Sequence, residues 1–230
     1  MKKLKCQFHC HTKEDPIDLI RHTERTLIDQ AAKLGYEVLA ISCHNVVIFN
    51  NDLKQYAEAK RILLIPAIEK TIEKKHVLIL NADVQAQKIK TFKDLRTYKK
   101  NKKNCLIIAP HPFYPDFTSI NKKLFDNLDI FDALEYSWFH SKNFNNYNQK
   151  AVKVAEKYNL PIIATSDNHT LKYLDSAYTI ISADKNISSI FAAIKNNHFQ
   201  IISHPLPLYK LLLTYIKMTA GSLLKIFIPI

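Results

Sequence analysis

Short apolar runs alternate with longer stretches of helical periodicity along most of the chain. Runs at 4–10 (LKCQFHC), 37–42 (EVLAIS), 62–68 (ILLIPAI), 76–80 (HVLIL) and 105–110 (CLIIAP) predict strands, as do 131–137 (FDALEYS), 161–165 (PIIAT), 177–182 (AYTIIS) and 199–203 (FQIIS). Helical spacing is clearest at 23–34, 52–60, 142–158 and 186–196. In the first of these Leu27, Ile28, Ala31, Ala32 and Leu34 share a face, and Gly35 follows as a stop. Nearly continuous apolar strands separated by helices predict a buried parallel sheet, open or closed into a barrel. The lysine-rich run YKKNKKN (98–104) reads as a solvated loop.

Composition narrows the chemistry. The 230 residues are 47% hydrophobic and 23% charged, as in folded globular proteins. The net charge of +12 favours anionic partners. Only Gly35 and Gly221 are glycine, so a Walker A loop, a GxGxxG turn and a GxSxG elbow are all excluded. Cys6, Cys10, Cys43 and Cys105 are scattered without a CxxC pair or a disulfide-like framework, and no secretory signal is visible. These features predict a reducing, cytoplasmic setting.

The histidines are not scattered. His9 and His11 are two apart, so their rings share one face of an extended chain while Phe8 and Cys10 face the other way. His44, Glu69, His111, Asp167 and His169 each follow an apolar run closely, and His76 opens one. In a parallel barrel such positions gather at one mouth, where side-chain chemistry is built. Imidazole and carboxylate together suit borderline divalent metals.

In order, "FHCHT", "AISCHN", "LIPAIEKT", "HVLIL", "IAPHPF" and "ATSDNH" resemble the motifs of the PHP family, named for polymerase and histidinol phosphatase. The resemblance covers about residues 4 to 204. It implies a distorted seven-stranded (β/α) TIM-like barrel with two or three divalent ions (zinc, manganese or iron), and phosphoester hydrolysis through a metal-bridged hydroxide. It places His9, His11, Glu69 and Asp167 on a first ion, and makes Glu69 the bridge to a second held with His76 and His111. A third would take His44, His169 and a first-loop carboxylate, Asp15, with Glu14 in reserve. The second motif departs from the family: Cys43 stands where an aspartate is usual, either as an inert buried thiol or as a soft-metal ligand. Glu135 is either a support behind the ligands or a solvated strand-end carboxylate. Beyond Glu69 and Asp167, His140 is either a catalytic group that would contact phosphate or protonate a leaving group, or a surface histidine.

The expected protein is therefore a hydrolase of a small phosphomonoester or nucleotide. The alternatives are a nuclease using the same centre, with nucleic acid as partner, and a non-catalytic metal-stabilised interaction module. Residues 1–206 form the expected barrel. Residues 207–230 form an expected apolar helix with one narrow polar stripe, Lys210, Thr214, Lys217, Gly221 and Lys225. That helix would pack on the barrel or a partner, or lie on an anionic membrane surface, giving a membrane-peripheral cytoplasmic protein.

Overall fold

The computed structural model describes residues 2–214. Among the described residues nine strands form one sheet: β1 (Lys2–Gln7), β2 (Val38–Ile41), β3 (Leu63–Ile72), β4 (Lys75–Leu80), β5 (Leu106–Ala109), β6 (Ala133–Ser137), β7 (Ile162–Thr165), β8 (Ala177–Ala183) and β9 (Phe199–Ser203). Their order is β7-β6-β5-β4-β3-β2-β1-β8-β9. Every apolar run singled out in the sequence is a strand. The expectation of a parallel sheet needs correction, because the sheet is mixed. β1-β2-β3 and β5-β6-β7 are parallel, whereas β4 is antiparallel to both neighbours and β8 is antiparallel to β1 and β9. No crossover helix separates β3 from β4. They are joined by a two-residue turn in which Glu73 (φ 47) and Lys74 (φ 67) are both left-handed, which matches the twist of a tight hairpin.

The sheet curls until its ends meet. Thr179 on β8 donates its hydroxyl to Ala164 O on β7 and accepts from Ala164 N, at 2.9 and 3.0 Å. Past the strand ends, Asn168 N donates to His9 O and His11 N to Asn168 O, at 3.1 and 3.0 Å. The result is a nearly closed, TIM-like barrel with helices outside. Alternation along each strand sends one set of side chains inward and the other to the helices. Leu4, Cys6, Phe8, Ile65, Ala67, Leu78 and Ile108 share one core cluster, whereas Ile68, Ile79 and Ile107 join another with Phe92 and Leu95.

The helices are α1 (Glu24–Lys33), α2 (Asn51–Ala59), α3 (Phe92–Asn101), α4 (Asn146–Tyr158) and α5 (Ile187–Lys195). Thr23, Asn50 and Asn186 cap α1, α2 and α5 with their side chains. The sequence reading missed α3 and took its last turn for part of a solvated loop. Its signal is the reciprocal cap between Thr91 and Asp94, after which only Phe92 and Leu95 are buried. Lysines on the exposed face hid the helix. Asn45, Asn81, Asn121, Asn159 and Asn197 all have left-handed φ, so asparagine does at these turns what glycine usually does.

Residues 208–214 are helical. Leu206 and Leu211 are buried against Trp138, Ala164 and Ala177, while Leu208, Tyr209, Leu212 and Leu213 are exposed. The rest of the expected tail helix, 215–230, lies outside the described residues, including Lys217, Gly221 and Lys225. Among the described residues, no helix is long and apolar enough to cross a membrane.

Candidate metal centre

Glu69 is the hub. Its strand runs on to Ile72, so the residue lies inside β3, where the sequence reading had placed it just past a strand end. It is almost wholly buried and faces five imidazoles. Oε2 lies 3.2 Å from His9 Nε2, 3.4 Å from His11 Nε2 and 3.0 Å from His44 Nε2. Oε1 lies 2.9 Å from His76 Nδ1 and 3.3 Å from His111 Nε2. Asp167 Oδ1 completes one group, 3.4 Å from His9 Nε2 and 3.3 Å from His11 Nε2.

The groups come together because strand ends converge. His9 and His11 follow β1, His44 follows β2 and bridges to Glu69, His76 opens β4, His111 follows β5, and Asp167 and His169 follow β7. His111 (φ 30) and Asp167 (φ 42) occupy the left-handed region, a backbone cost that aims both side chains inward. Carboxylates behind the rings fix their orientation. Glu135, fully buried on β6, accepts from His9 Nδ1 at 2.9 Å, from His111 N at 2.5 Å and from the Thr165 hydroxyl. Asp15 Oδ2 accepts from His11 Nδ1 at 2.8 Å and from His44 Nδ1 at 2.9 Å. Ser119 meets His111 Nδ1 at 3.1 Å and donates to Asp116 at 2.7 Å. The Nε2 atoms of His9, His11, His44 and His111 are thus left facing the cluster.

Electrostatics hold charge here despite burial. Burial opposes ionisation of Glu69, but His76, His9 and His44 outweigh it and hold its carboxyl well below the usual range. Asp167 is depressed against burial in the same way by His9 and His169. Burial would lower the imidazoles. Carboxylates reverse the sign, raising His9 well above its ordinary value, His44 to about 10 and His111 and His169 each to about 9. In spite of the short distances, His9 Nε2, His11 Nε2, His76 Nδ1 and Asp167 Oδ1 are buried without an aligned hydrogen bond.

Those orphaned atoms test whether a metal fits. Ligand atoms about 2.0–2.1 Å from one ion at tetrahedral angles lie about 3.3 Å apart. Around the group His9, His11, Glu69 and Asp167, the four nitrogen-to-oxygen distances are 3.2–3.4 Å. These spacings are long for charge-assisted hydrogen bonds and right for shared coordination. The groups His11–Asp15–His44 and His44–Glu69–His76 also bring donor atoms within 4.8 Å of one another.

The comparisons bear on the fold. The PHP-associated family model matches residues 145–199. A two-domain protein from Bacteroides vulgatus, containing a predicted PHP-like metal-dependent phosphoesterase, superposes with a TM-score of 0.66 at 20% identity, covering 88% of this chain and 65% of its own. The chain has the PHP fold. PsfC from Pseudomonas syringae has a TM-score of 0.65 at 13% identity, with 97% of this chain and 100% of that one covered. Endonuclease Q, in complex with a 27-mer duplex substrate carrying an abasic lesion at the active site, has a TM-score of 0.65 at 15% identity; 85% of this chain and 57% of that one are covered. No curated protein sequence matches this one.

Within this PHP barrel, His9, His11, His44, Glu69, His76, His111 and Asp167 come together. His169 stands at the rim, with Nε2 3.1 Å from Asp18 Oδ2. Asp18 escaped the sequence reading, which weighed only Glu14 and Asp15 in the first loop. Glu14 turns away and accepts from Thr12 Oγ1 at 2.6 Å. His140 is not brought to the cluster by any of its contacts: its Nε2 meets Ser203 Oγ at 2.8 Å, and its carbonyl accepts from Leu206 N. Cys43 is buried beside Thr12 Oγ1 at 3.4 Å, burial pushes its thiol up to about 11, and no described cysteine joins a metal-compatible group.

Proposed function

We propose that this protein is a metal-dependent phosphoesterase that hydrolyses a small phosphomonoester or a nucleotide. The observation that carries the reading is the 3.2–3.4 Å spacing among His9, His11, Glu69 and Asp167. These four would hold one ion. Glu69 would share its second oxygen with another ion, held with His76 and His111. Such ions supply Lewis acidity and make water a competent nucleophile at neutral pH.

The chain's own residues bind, orient and seal. Glu69 and Asp167 bring negative charge that offsets the cations, and both are the proposed catalytic carboxylates. Glu135 and Asp15 keep protons on Nδ1, so Nε2 presents its lone pair. His9, His11 and Glu69 form the closed floor, while the Asp167 and His169 side chains are 18% and 35% exposed. A phosphoester would therefore enter over the Asp167–His169 rim. No protein nucleophile is required, in keeping with the inert Cys43 thiol.

Hydrolysis of a generic aryl phosphate that appears with Mn²⁺, Zn²⁺ or Fe²⁺ and is lost to chelator supports the reading. Stoichiometric metal binding without turnover of any phosphoester would instead leave a metal-stabilised interaction module. A nuclease is the second reading. It is favoured by a basic cleft of about 450 Å³ lined by Lys75, Lys122, Lys123 and Lys150, close in sequence to His76 and Ser119. Faster cleavage of an oligonucleotide than of a mononucleotide would select it.

A further inference from the structure

We propose that the cleft lined by Lys75, Lys122, Lys123 and Lys150 is a docking surface for single-stranded nucleic acid on the outer wall of the barrel, with Phe117 as a ring on which a base stacks. The inference rests on the nuclease reading only for the fate of the strand. The docking itself stands on the cleft and is read without turnover.

Three separate elements bring the ammonium groups together. Lys75 opens β4, Lys122 and Lys123 lie on the short helical segment Asn121–Asn127, and Lys150 lies on α4. Neighbours on a strand point to opposite faces, so with His76 turned in to Glu69, Lys75 points outward. Ile120 and Phe125 line the same cleft. Among the described residues, Lys123 alone of the four lysines is ion-paired, with Glu73 at 2.7 Å. Lys75 donates to Phe117 O at 2.8 Å, and Lys150 sits over the Phe113 ring, 4.6 Å from its centroid. Neither contact removes charge. Three cations that no carboxylate offsets therefore line one hollow, which draws phosphates to it.

Exposed rings accompany the charge. Phe117 is 93% exposed, although the loop that carries it is tightly held. Asp116 Oδ1 accepts from Thr118 N, Thr118 Oγ1 and Ser119 N at 2.8, 2.7 and 2.5 Å. His76 N donates to Thr118 O, and Asn121 N to Pro112 O, each at 2.8 Å. The loop thus holds the ring out in water, where an aromatic forgoes the gain of burial. Because the Phe117 carbonyl accepts from Lys75, ring and cleft share an edge. Phe125 and Tyr158, their ring centroids 6.0 Å apart, are also exposed. Lysines for the backbone and open rings for the bases are the combination that single strands recognise. An acidic peptide would use the lysines and leave the rings bare.

Fluorescence anisotropy of a labelled oligothymidine of about 12 nucleotides, titrated with the full chain in EDTA, tests this. The strand should bind in the chelator, and the log–log salt slope should include about −2 from the three unpaired lysines. Lys122→Gln combined with Lys150→Gln should remove about 1.4 of that slope. Phe117→Ala should weaken binding by about 5–150-fold. An abasic strand of the same length, which keeps the charge and lacks the rings, should bind more weakly than oligothymidine. All three substituted side chains are exposed, so the variants keep the fold. Lys100→Gln combined with Lys103→Gln, two exposed lysines outside the cleft, is the matched control and should bind like the wild type. An equal loss in that control would reduce the effect to net charge and overturn the inference. So would undiminished binding by Phe117→Ala, equal binding of the abasic strand, or displacement by poly-glutamate of matched charge. Binding lost to EDTA would move the strand to the metal centre and overturn it as well. Failure of the protein to bind metal overturns the metal-centre reading and leaves each of these outcomes as it is.

Discussion

His9 and Glu135 are joined by a hydrogen bond of 2.9 Å between two fully buried side chains, and that bond decides which nitrogen of His9 faces Glu69. Glu135 also accepts from His111 N, so one carboxylate on β6 aligns groups from β1 and β5. Replacing it with glutamine removes the charge that holds the Nδ1 proton while preserving shape. Glu135→Gln should weaken metal binding about 10–100-fold with the fold intact, as measured by competition with a chromogenic chelator. Unchanged affinity would show that Glu135 does not orient His9.

Glu69→Gln should be the most damaging single change. A neutral amide cannot offset two cations, and it leaves His76, His9 and His44 without the carboxylate that faces them. Bound metal should fall by at least one equivalent, and aryl phosphate hydrolysis by about 10²–10³-fold or more. His198→Ala is the control and should be nearly silent. Near-normal turnover in the glutamine variant would sink the metal assignment.

Metal binding should release protons. His44, at about 10, and His111 and His169, each at about 9, are protonated at pH 7.5 in the chelated protein, because neighbouring carboxylates outweigh burial. A metal needs the neutral imidazole, so affinity should fall as pH falls and rise toward pH 9. Calorimetry at pH 7.5 in two buffers of different ionisation enthalpy should give different apparent heats. Equal heats would count against the reading.

Cys43 should prove dispensable for the metals. Its thiol is pushed up by burial and touches Thr12 outside the metal-compatible groups. Cys43→Ser should therefore bind the same number of Zn²⁺ ions as the wild type. Loss of an equivalent on elemental analysis would make Cys43 a ligand.

The tail is proposed to belong to the barrel. Leu206 and Leu211 bury against Trp138 and Ala164, and each such leucine contributes about 2 kcal/mol. Truncation after Ser203 should lower the melting temperature by roughly 10 °C. A truncated chain that melts unchanged but no longer sediments with acidic liposomes would make 207–230 a membrane anchor instead.

The sequence by itself determined the strands, most of the helices and the cluster that meets at Glu69. Strand periodicity is local, and motif order places the histidines and carboxylates at converging strand ends. Long-range contacts decided the rest. The hairpin from β3 to β4 makes the sheet mixed and sets Glu69 inside a strand, because register depends on the partner strand as well as the run itself. An acid's role is also invisible in one dimension. Asp15 and Asp18 are three residues apart in one loop, yet one turns inward onto two imidazoles and the other reaches His169 across the barrel mouth. His140 belongs with them: its place beside the motifs suggested chemistry, and packing tied it to Ser203 and the tail. Hydrogen-bond saturation and burial distinguish an anchor from a ligand, and both are set only when distant segments close around the side chain.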